Sequence, residues 1–324
     1  MRTGSREWLR TLGRSGLETS AIGLGLAAIG RPGYLTLGHG EDFKDRSAEG
    51  LAARSHELLD AAYAAGVRHF DAARSYGRAE EFLASWLRYR SLAPGAVTVS
   101  SKWGYRYTGG WRVDADPPEV KDLSASALRR QLRETRELLG DHLSLYQIHS
   151  ATLSSGVLDD RAVRAELEAL RADGVAVGVS VTGTEQAVTI RRAVETGAFD
   201  SVQGTWNLME RSAGEALQGA HEAGIGVIVK EALANGRLTA RGEVEALATA
   251  ARRMGVTEDA LAMAAALAQP WADTVLSGAS TVAQLQSNLA ARSVRWDESL
   301  DRELDTLAER PERYWDTRSG LPWT

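Results

Sequence analysis

"GVRHFDAARSYGRAE", residues 66–80, begins as a strand and ends in the first turn of a helix, with Asp71 and Tyr76 at the junction. The apolar run "VRHFDAA" (67–73) leads into "AEEFLASWLRY" (79–89), where Ala79, Phe82, Leu83, Trp86 and Leu87 share one helical face. This reads as one strand-helix unit. The fold depends on how often the unit recurs.

Working outward, valine- and isoleucine-rich runs at 21–26, 96–102, 142–150, 175–181, 199–207, 225–233 and 273–280 read as further strands. Helical spacing follows each, at 50–65, 124–140, 158–173, 184–196, 212–223, 243–253 with 257–268, and 281–291 with 298–308. Ser124 reads as an N-cap, and Leu128, Leu132 and Leu139 form the stripe of its helix. With the unit at 67–89 the strands number eight. No Gly-x-Gly-x-x-Gly fingerprint follows the first, so the pattern favours a closed (β/α)8 TIM barrel over a doubly wound sheet. No linker or low-complexity tract divides residues 1–324, and the expectation is a single domain.

Composition removes several function classes. A net charge of −5 offers no general attraction to nucleic acid or an anionic membrane. The absence of cysteine removes disulfides, thiolate metal sites and a thiol nucleophile, and fits a reducing compartment. The opening "MRTGSREWLRTLGRSG" has no signal-peptide core, and no later stretch has the roughly 18 apolar residues of a membrane span. The expected location is cytoplasmic, no metal is expected, and oligomeric state is left open.

In a (β/α)8 barrel the C-terminal ends of the strands surround one mouth. Asp71 and Tyr76 follow the second strand, Lys102 ends the third and His149 the fourth. Each alone has an ordinary reading as cap, packing ring, solvated charge or hydrogen-bonded core group. Together they suit proton delivery to an oxygen that becomes an alkoxide when hydride reaches its carbon. A Lys102 ammonium would acidify the Tyr76 phenol, Asp71 would balance the lysine, and His149 would orient the substrate oxygen.

The chain resembles the aldo-keto reductases over nearly its whole length. "LGRSGLETSAIGLGLAAIG" (12–30) is similar to their opening hairpin and first strand, and "GVRHFDAARSYGRAEE" to their aspartate signature. "SSKWG", "LSLYQIHS" and "VLSGASTVAQLQSNLAA" (275–291) resemble the lysine strand, the histidine strand and the cofactor segment. The resemblance implies a barrel that binds a nicotinamide dinucleotide, with Tyr76 as acid, Lys102 and Asp71 assisting, and His149 orienting a small carbonyl or alcohol substrate.

It further implies Gly278, Ser280 and Gln284 at the adenosine phosphate, Asn288 at the adenine, and Ser180 with Gln203 at the nicotinamide amide. "KEALANGRLTAR" (230–241) resembles the loop over the pyrophosphate, with Leu233 and Gly236. There Arg237 or Arg241 would pair with a ribose 2′-phosphate, which points to NADP(H) in preference to NAD(H). Either arginine reads equally as a solvated charge. The sequence departs from the family at Ala72 for threonine, Val181 for asparagine, Ser287 for an acidic residue and Lys230 for the ring that covers the nicotinamide. The Lys230 stem would cover the ring edge while its ammonium seeks Glu231 or a phosphate.

The loop "WGYRYTGGW" (103–111) offers Trp103 and Tyr105 as substrate contacts, with Tyr107 and Trp111 nearby, and the tail adds Tyr314, Trp315 and Trp323. These rings suit an aromatic, apolar or sugar substrate, or equally pack the loops. Two other readings stay open: a cofactor-binding regulatory protein with little turnover, and a redox-neutral lyase or epimerase using Lys230 or Lys102.

Overall fold

The structure is a computed structural model that describes residues 9–324; Met1–Trp8, the first half of the segment read for a signal peptide, lie outside it. An antiparallel pair, β1 (Leu9–Thr11) and β2 (Glu18–Ser20), comes first. The chain continues through β3 (Ile22–Gly25), α1 (Ala48–Ala64), β4 (His69–Asp71), α2 (Ala79–Tyr89) and β5 (Thr98–Trp103). A side hairpin, β6 (Tyr105–Tyr107) and β7 (Glu119–Lys121), precedes α3 (Ala125–Leu139) and β8 (Leu143–Ala151). Then follow α4 (Arg161–Ala172), β9 (Ala176–Val181), α5 (Gln186–Thr196), β10 (Ser201–Thr205), α6 (Gly214–Glu222) and β11 (Gly226–Lys230). The last elements are α7 (Glu245–Met254), α8 (Glu258–Leu267), β12 (Thr274–Ser277), α9 (Val282–Leu289), α10 (Glu298–Leu304) and α11 (Pro311–Ser319).

Eight parallel strands close in the order β3-β4-β5-β8-β9-β10-β11-β12, with β12 paired to β3. The expected TIM barrel, N-terminal hairpin and extra C-terminal helices are all present. Side chains alternate across each strand. On β4, His69 and Asp71 share one face of the sheet, and Phe70, fully buried among apolar side chains, takes the other.

The hairpin sits at the barrel end opposite the mouth. Leu12 clusters there with Leu145, Ile228 and Leu276, and Arg14 N donates to Gly224 O at 2.7 Å. Gly13, with φ +49°, lies so close to the start of β11 that a Cβ would fall 2.1 Å from Gly226 N. Only glycine fits this approach without displacing backbone. That end is shut, and ligand access is from the C-terminal ends of the strands.

Several expected boundaries shift. Most ladders are shorter than the apolar runs, as at 69–71 within 67–73, although the backbone stays bonded to β5 past the end of β4, with Ala72 N donating to Ser100 O at 2.8 Å. Strand β5 instead runs one residue beyond 102. The segment after it, expected as open loop, folds back as β6 and β7, and the aromatic tail contains the helix α11.

Candidate active site

The upper barrel interior is polar and tightly hydrogen-bonded. Asp71 forms a very short ion pair with Lys102 through Oδ2, and Lys102 Nζ also donates to Ala72 O at 3.0 Å. Asp71 Oδ1 accepts from Ser100 Oγ at 2.6 Å, Gln147 Nε2 at 3.3 Å and Gln203 Nε2 at 3.4 Å. Strands β4, β5, β8 and β10 thus meet on one carboxylate. Both charges are nearly fully buried, and such a pair persists only when further hydrogen bonds satisfy it.

Beneath this layer, His69 lies between Thr19 Oγ1 (3.1 Å from Nδ1) and Ser100 Oγ (2.9 Å from Nε2), supporting the serine that holds Asp71. Burial brings the His69 pKa down to about 4, and burial does the same to His39 at the mouth. Between about 4 and the ordinary 6.5 the unfolded chain therefore binds more protons than the folded one. Stability should fall as pH drops through that window, by on the order of 2–3 kcal/mol for each histidine. Urea midpoints measured from pH 7 to pH 4 test this, and an unchanged midpoint would contradict it.

Tyr76 and His149 stand above the ion pair. Tyr76 Oη is 3.5 Å from His149 Nε2, and the two rings meet edge to face with centroids 5.4 Å apart. Lys102 Nζ lies 5.0 Å from the Tyr76 ring centre and the Arg31 guanidinium 5.5 Å from it. Arg31 is tied to Ser75 O and Glu119 Oε2, each at 2.8 Å. The backbone at the mouth is unusual: β8 is irregular beyond Ile148, and Ser150 and Glu231, both facing the cleft, have φ of +54° and +56°. Such left-handed residues are sparse outside glycine and gather at functional sites.

Burial first, then the Asp71 charge, push the Tyr76 pKa well above its ordinary value. The expected acidification by Lys102 is therefore not a property of the resting pocket, because Asp71 already balances the ammonium. Tyr76 rests as a protonated phenol. Burial and the cations Lys102, Lys230 and Arg31 hold His149 well below its usual range, so it is a neutral imidazole.

A cleft of about 510 Å³ runs from Asp71, Tyr76 and His149 past Gln203 and Lys230 to Gly278, Ser280, Gln284 and Asn288. Leu233, Gly236 and Arg241 line it too. Ser180 does not line the cleft: it is fully buried beside Gln203 in the β9-β10 register, and among the described residues its hydroxyl has no hydrogen-bond partner. At the N-terminus of α9, the Thr281 side chain accepts from Gln284 N. Asn288, with its amide oriented to suit both neighbours, donates to Asp259 Oδ2 at 2.7 Å and accepts from Ser277 Oγ at 2.8 Å.

Three expectations need correction. Trp103 is not a substrate contact: it closes β5, alternates away from Lys102, and is fully buried in the apolar core. Arg237 does not face the cleft, because Glu309 holds its guanidinium with contacts of 2.6 and 3.1 Å. Lys230 does not pair with Glu231, which Arg318 grips bidentately; among the described residues its ammonium has no hydrogen bond or ion pair. Burial lowers the Lys230 pKa to about 8.

Tyr105 packs against the His149 ring, centroids 5.0 Å apart, rather than lining the cleft. In the tail, Tyr314 and Trp315 are buried, while Trp323 stacks under Arg31 at 4.5 Å. Sequence reading missed Arg31, Asp42, Glu119 and Arg318. Arg31 and Asp42 lie in loops, Glu119 opens the three-residue strand β7 and Arg318 lies in the last helix, all places where no periodicity marks them. Among the described residues no group of three or more His, Asp or Glu is arranged to hold a metal, and no helix is long and apolar enough to cross a membrane.

Comparison with known proteins agrees with this fold. The family model described as "Aldo/keto reductase family" matches residues 22–309. The uncharacterized oxidoreductase YqkF of Bacillus subtilis is 25% identical over 88% of this chain and 91% of its own length. L-galactose dehydrogenase of Arabidopsis thaliana is 26% identical over 93% of this chain and 92% of its own length. Among solved structures, aldo-keto reductase AKR11C1 from Bacillus halodurans superposes with a TM-score of 0.72 over 93% of this chain and 96% of that one; at 20% identity this speaks to the fold. A closed barrel with these polar strand ends, matched by the family model from its first barrel strand to beyond α10, belongs to the aldo/keto reductase family of oxidoreductases.

Proposed function

We propose that this protein transfers hydride between a nicotinamide dinucleotide and a small aldehyde, ketone or corresponding alcohol, with Tyr76 as the proton donor in reduction. The observation that carries this reading is the meeting of Tyr76, His149 and the Lys102–Asp71 pair at one end of a long cleft whose other end is the turn before α9.

The chain fits the cofactor on its own evidence. The Gln203 amide, which lines the cleft, and the buried Ser180 hydroxyl next to it in the sheet, without a partner among the described residues, suit a carboxamide at the barrel centre. Ser280, Gln284 and the N-terminal turn of α9 suit the adenosine end, and Leu233 and Gly236 the stretch between. When bound, the reduced dinucleotide supplies hydride, which no side chain delivers.

The protein's part is orientation and proton transfer. Neutral His149 offers an N–H to the substrate oxygen and keeps it beside Tyr76 Oη. As that oxygen gains negative charge, Tyr76 gives up its proton. The high pKa of Tyr76 does not oppose the step, since the dry pocket raises the basicity of an alkoxide as well, and an alkoxide is the stronger base. Lys102 then steadies the phenolate, while Asp71 fixes the lysine. The half-buried Tyr76 and the Tyr105 ring behind His149 suit a small, partly apolar carbonyl compound.

Purified protein should oxidise a stoichiometric amount of reduced dinucleotide in a single turnover with reactive aldehydes. Binding without oxidation across a carbonyl panel would indicate the regulatory reading instead. A second reading draws on the unpaired Lys230 amine in the same cleft, with its pKa near 8. It is redox-neutral imine chemistry, and borohydride trapping of a Lys230 adduct would favour it.

A further inference from the structure

The loop between β3 and α1 carries Asp42 into the far end of the cleft, where its side chain is only 7% exposed. Its Oδ1 is 2.6 Å from Arg241 Nη2. Its Oδ2 accepts from Ser280 Oγ at 2.7 Å and from Gln284 Nε2 at 3.0 Å, with Arg241 Nη1 at 3.4 Å. By the resemblance, Ser280 and Gln284 belong to the adenosine phosphate end and Arg241, or Arg237, to a ribose 2′-phosphate; the protein's own carboxylate already engages Ser280, Gln284 and Arg241. Burial would raise the Asp42 pKa, but the hydrogen bonds from Arg241, Gln284 and Ser280 win and hold it below the usual carboxylate range.

A second carboxylate, Asp259, lines the same end and accepts from Ser287 Oγ at 3.0 Å. With Arg237 bound to Glu309, Arg241 pairs with Asp42 there and Asp259 lines the same end, so among the described residues lining this end one guanidinium stands with two carboxyl groups. A ribose 2′-phosphate brings about −1.5 to −2 further charges into this corner. A ribose 2′-hydroxyl instead brings a donor, and an ionised carboxylate is a pure acceptor. Dinucleotide sites of other folds use the same logic, with a carboxylate at the 2′-hydroxyl for NAD and an arginine at the 2′-phosphate for NADP.

Resting on the reading of a dinucleotide in this cleft, we infer that Asp42 is a specificity-determining residue that makes the protein select NAD(H) over NADP(H). This reverses the preference expected from the arginines alone. Arg241 holds Asp42 in place instead of receiving the phosphate.

The test is equilibrium binding of NADH and NADPH to the full chain, followed by nicotinamide fluorescence and independent of turnover. Wild-type protein should bind NADH at least about tenfold more tightly than NADPH, a difference of about 1.4 kcal/mol. Asp42→Asn and Asp42→Ser should each shrink that ratio about tenfold or more, by tightening NADPH and weakening NADH. Thermal melts with each dinucleotide check that the variants fold and should rank the ligands in the same order. Equal or tighter NADPH binding by wild type, or a ratio unmoved in both variants, overturns the inference and leaves the proposed function intact. If neither dinucleotide binds, the proposed function fails and the inference falls with it.

Discussion

Tyr76→Phe is expected to slow single-turnover carbonyl reduction by about 10²–10⁴-fold while leaving reduced-dinucleotide binding unchanged. The substitution removes one oxygen and keeps the ring that packs edge to face on His149. His149 cannot take over as acid, because burial and the surrounding cations keep it unprotonated at neutral pH. The wild-type proton-donating step should be level between pH 7 and 9: Tyr76 titrates well above that range and His149 well below it. A bend near 8 that disappears in Lys230→Met would belong to Lys230 instead. Unchanged turnover in Tyr76→Phe would remove Tyr76 from the acid role.

The barrel was legible because its signal is periodic and repeated. Eight alternations survive errors of two or three residues at each boundary, as the displaced ends of β4, β5 and β10 illustrate. Asp71, Lys102 and His149 were legible for a related reason: they end strands, and barrel topology alone brings strand ends together. What lay hidden depends on loops. Asp42 reaches Arg241 and Ser280 across 199 and 238 residues, and the sequence does not show which of Glu41, Asp42 and Asp45 in its loop meets them. Arg237 and Arg241 look alike in sequence, yet Glu309 claims one and Asp42 the other. Trp103 was misread because the end of β5 lies one residue later than its apolar run suggests, which turns the indole to the opposite face. The direction of the Tyr76 shift was misjudged although Asp71 was expected beside Lys102, because sequence does not show how deeply the phenol is buried. Within the folded pocket burial dominates, and the Asp71 charge adds to it.

Lys102→Met carries the other large effect, and it separates architecture from chemistry. Removing the ammonium leaves Asp71 buried with Ser100, Gln147 and Gln203 as its remaining donors, and should cost about 3–5 kcal/mol of stability at neutral pH. An uncompensated carboxylate takes up a proton more readily, so the folded variant holds a proton that the unfolded chain has released. Its stability then falls with rising pH, and the deficit relative to wild type should narrow as pH is lowered in matched urea titrations. Adding Asp71→Asn removes the stranded charge but keeps an acceptor for the same donors. The double variant should therefore recover much of the stability lost in Lys102→Met. Turnover should stay low in both, because the group that steadies the Tyr76 phenolate, 5.0 Å from its ring centre, is gone. If the double variant regains turnover along with stability, Lys102 serves only to neutralise Asp71, and proton delivery from Tyr76 proceeds without help from the ammonium.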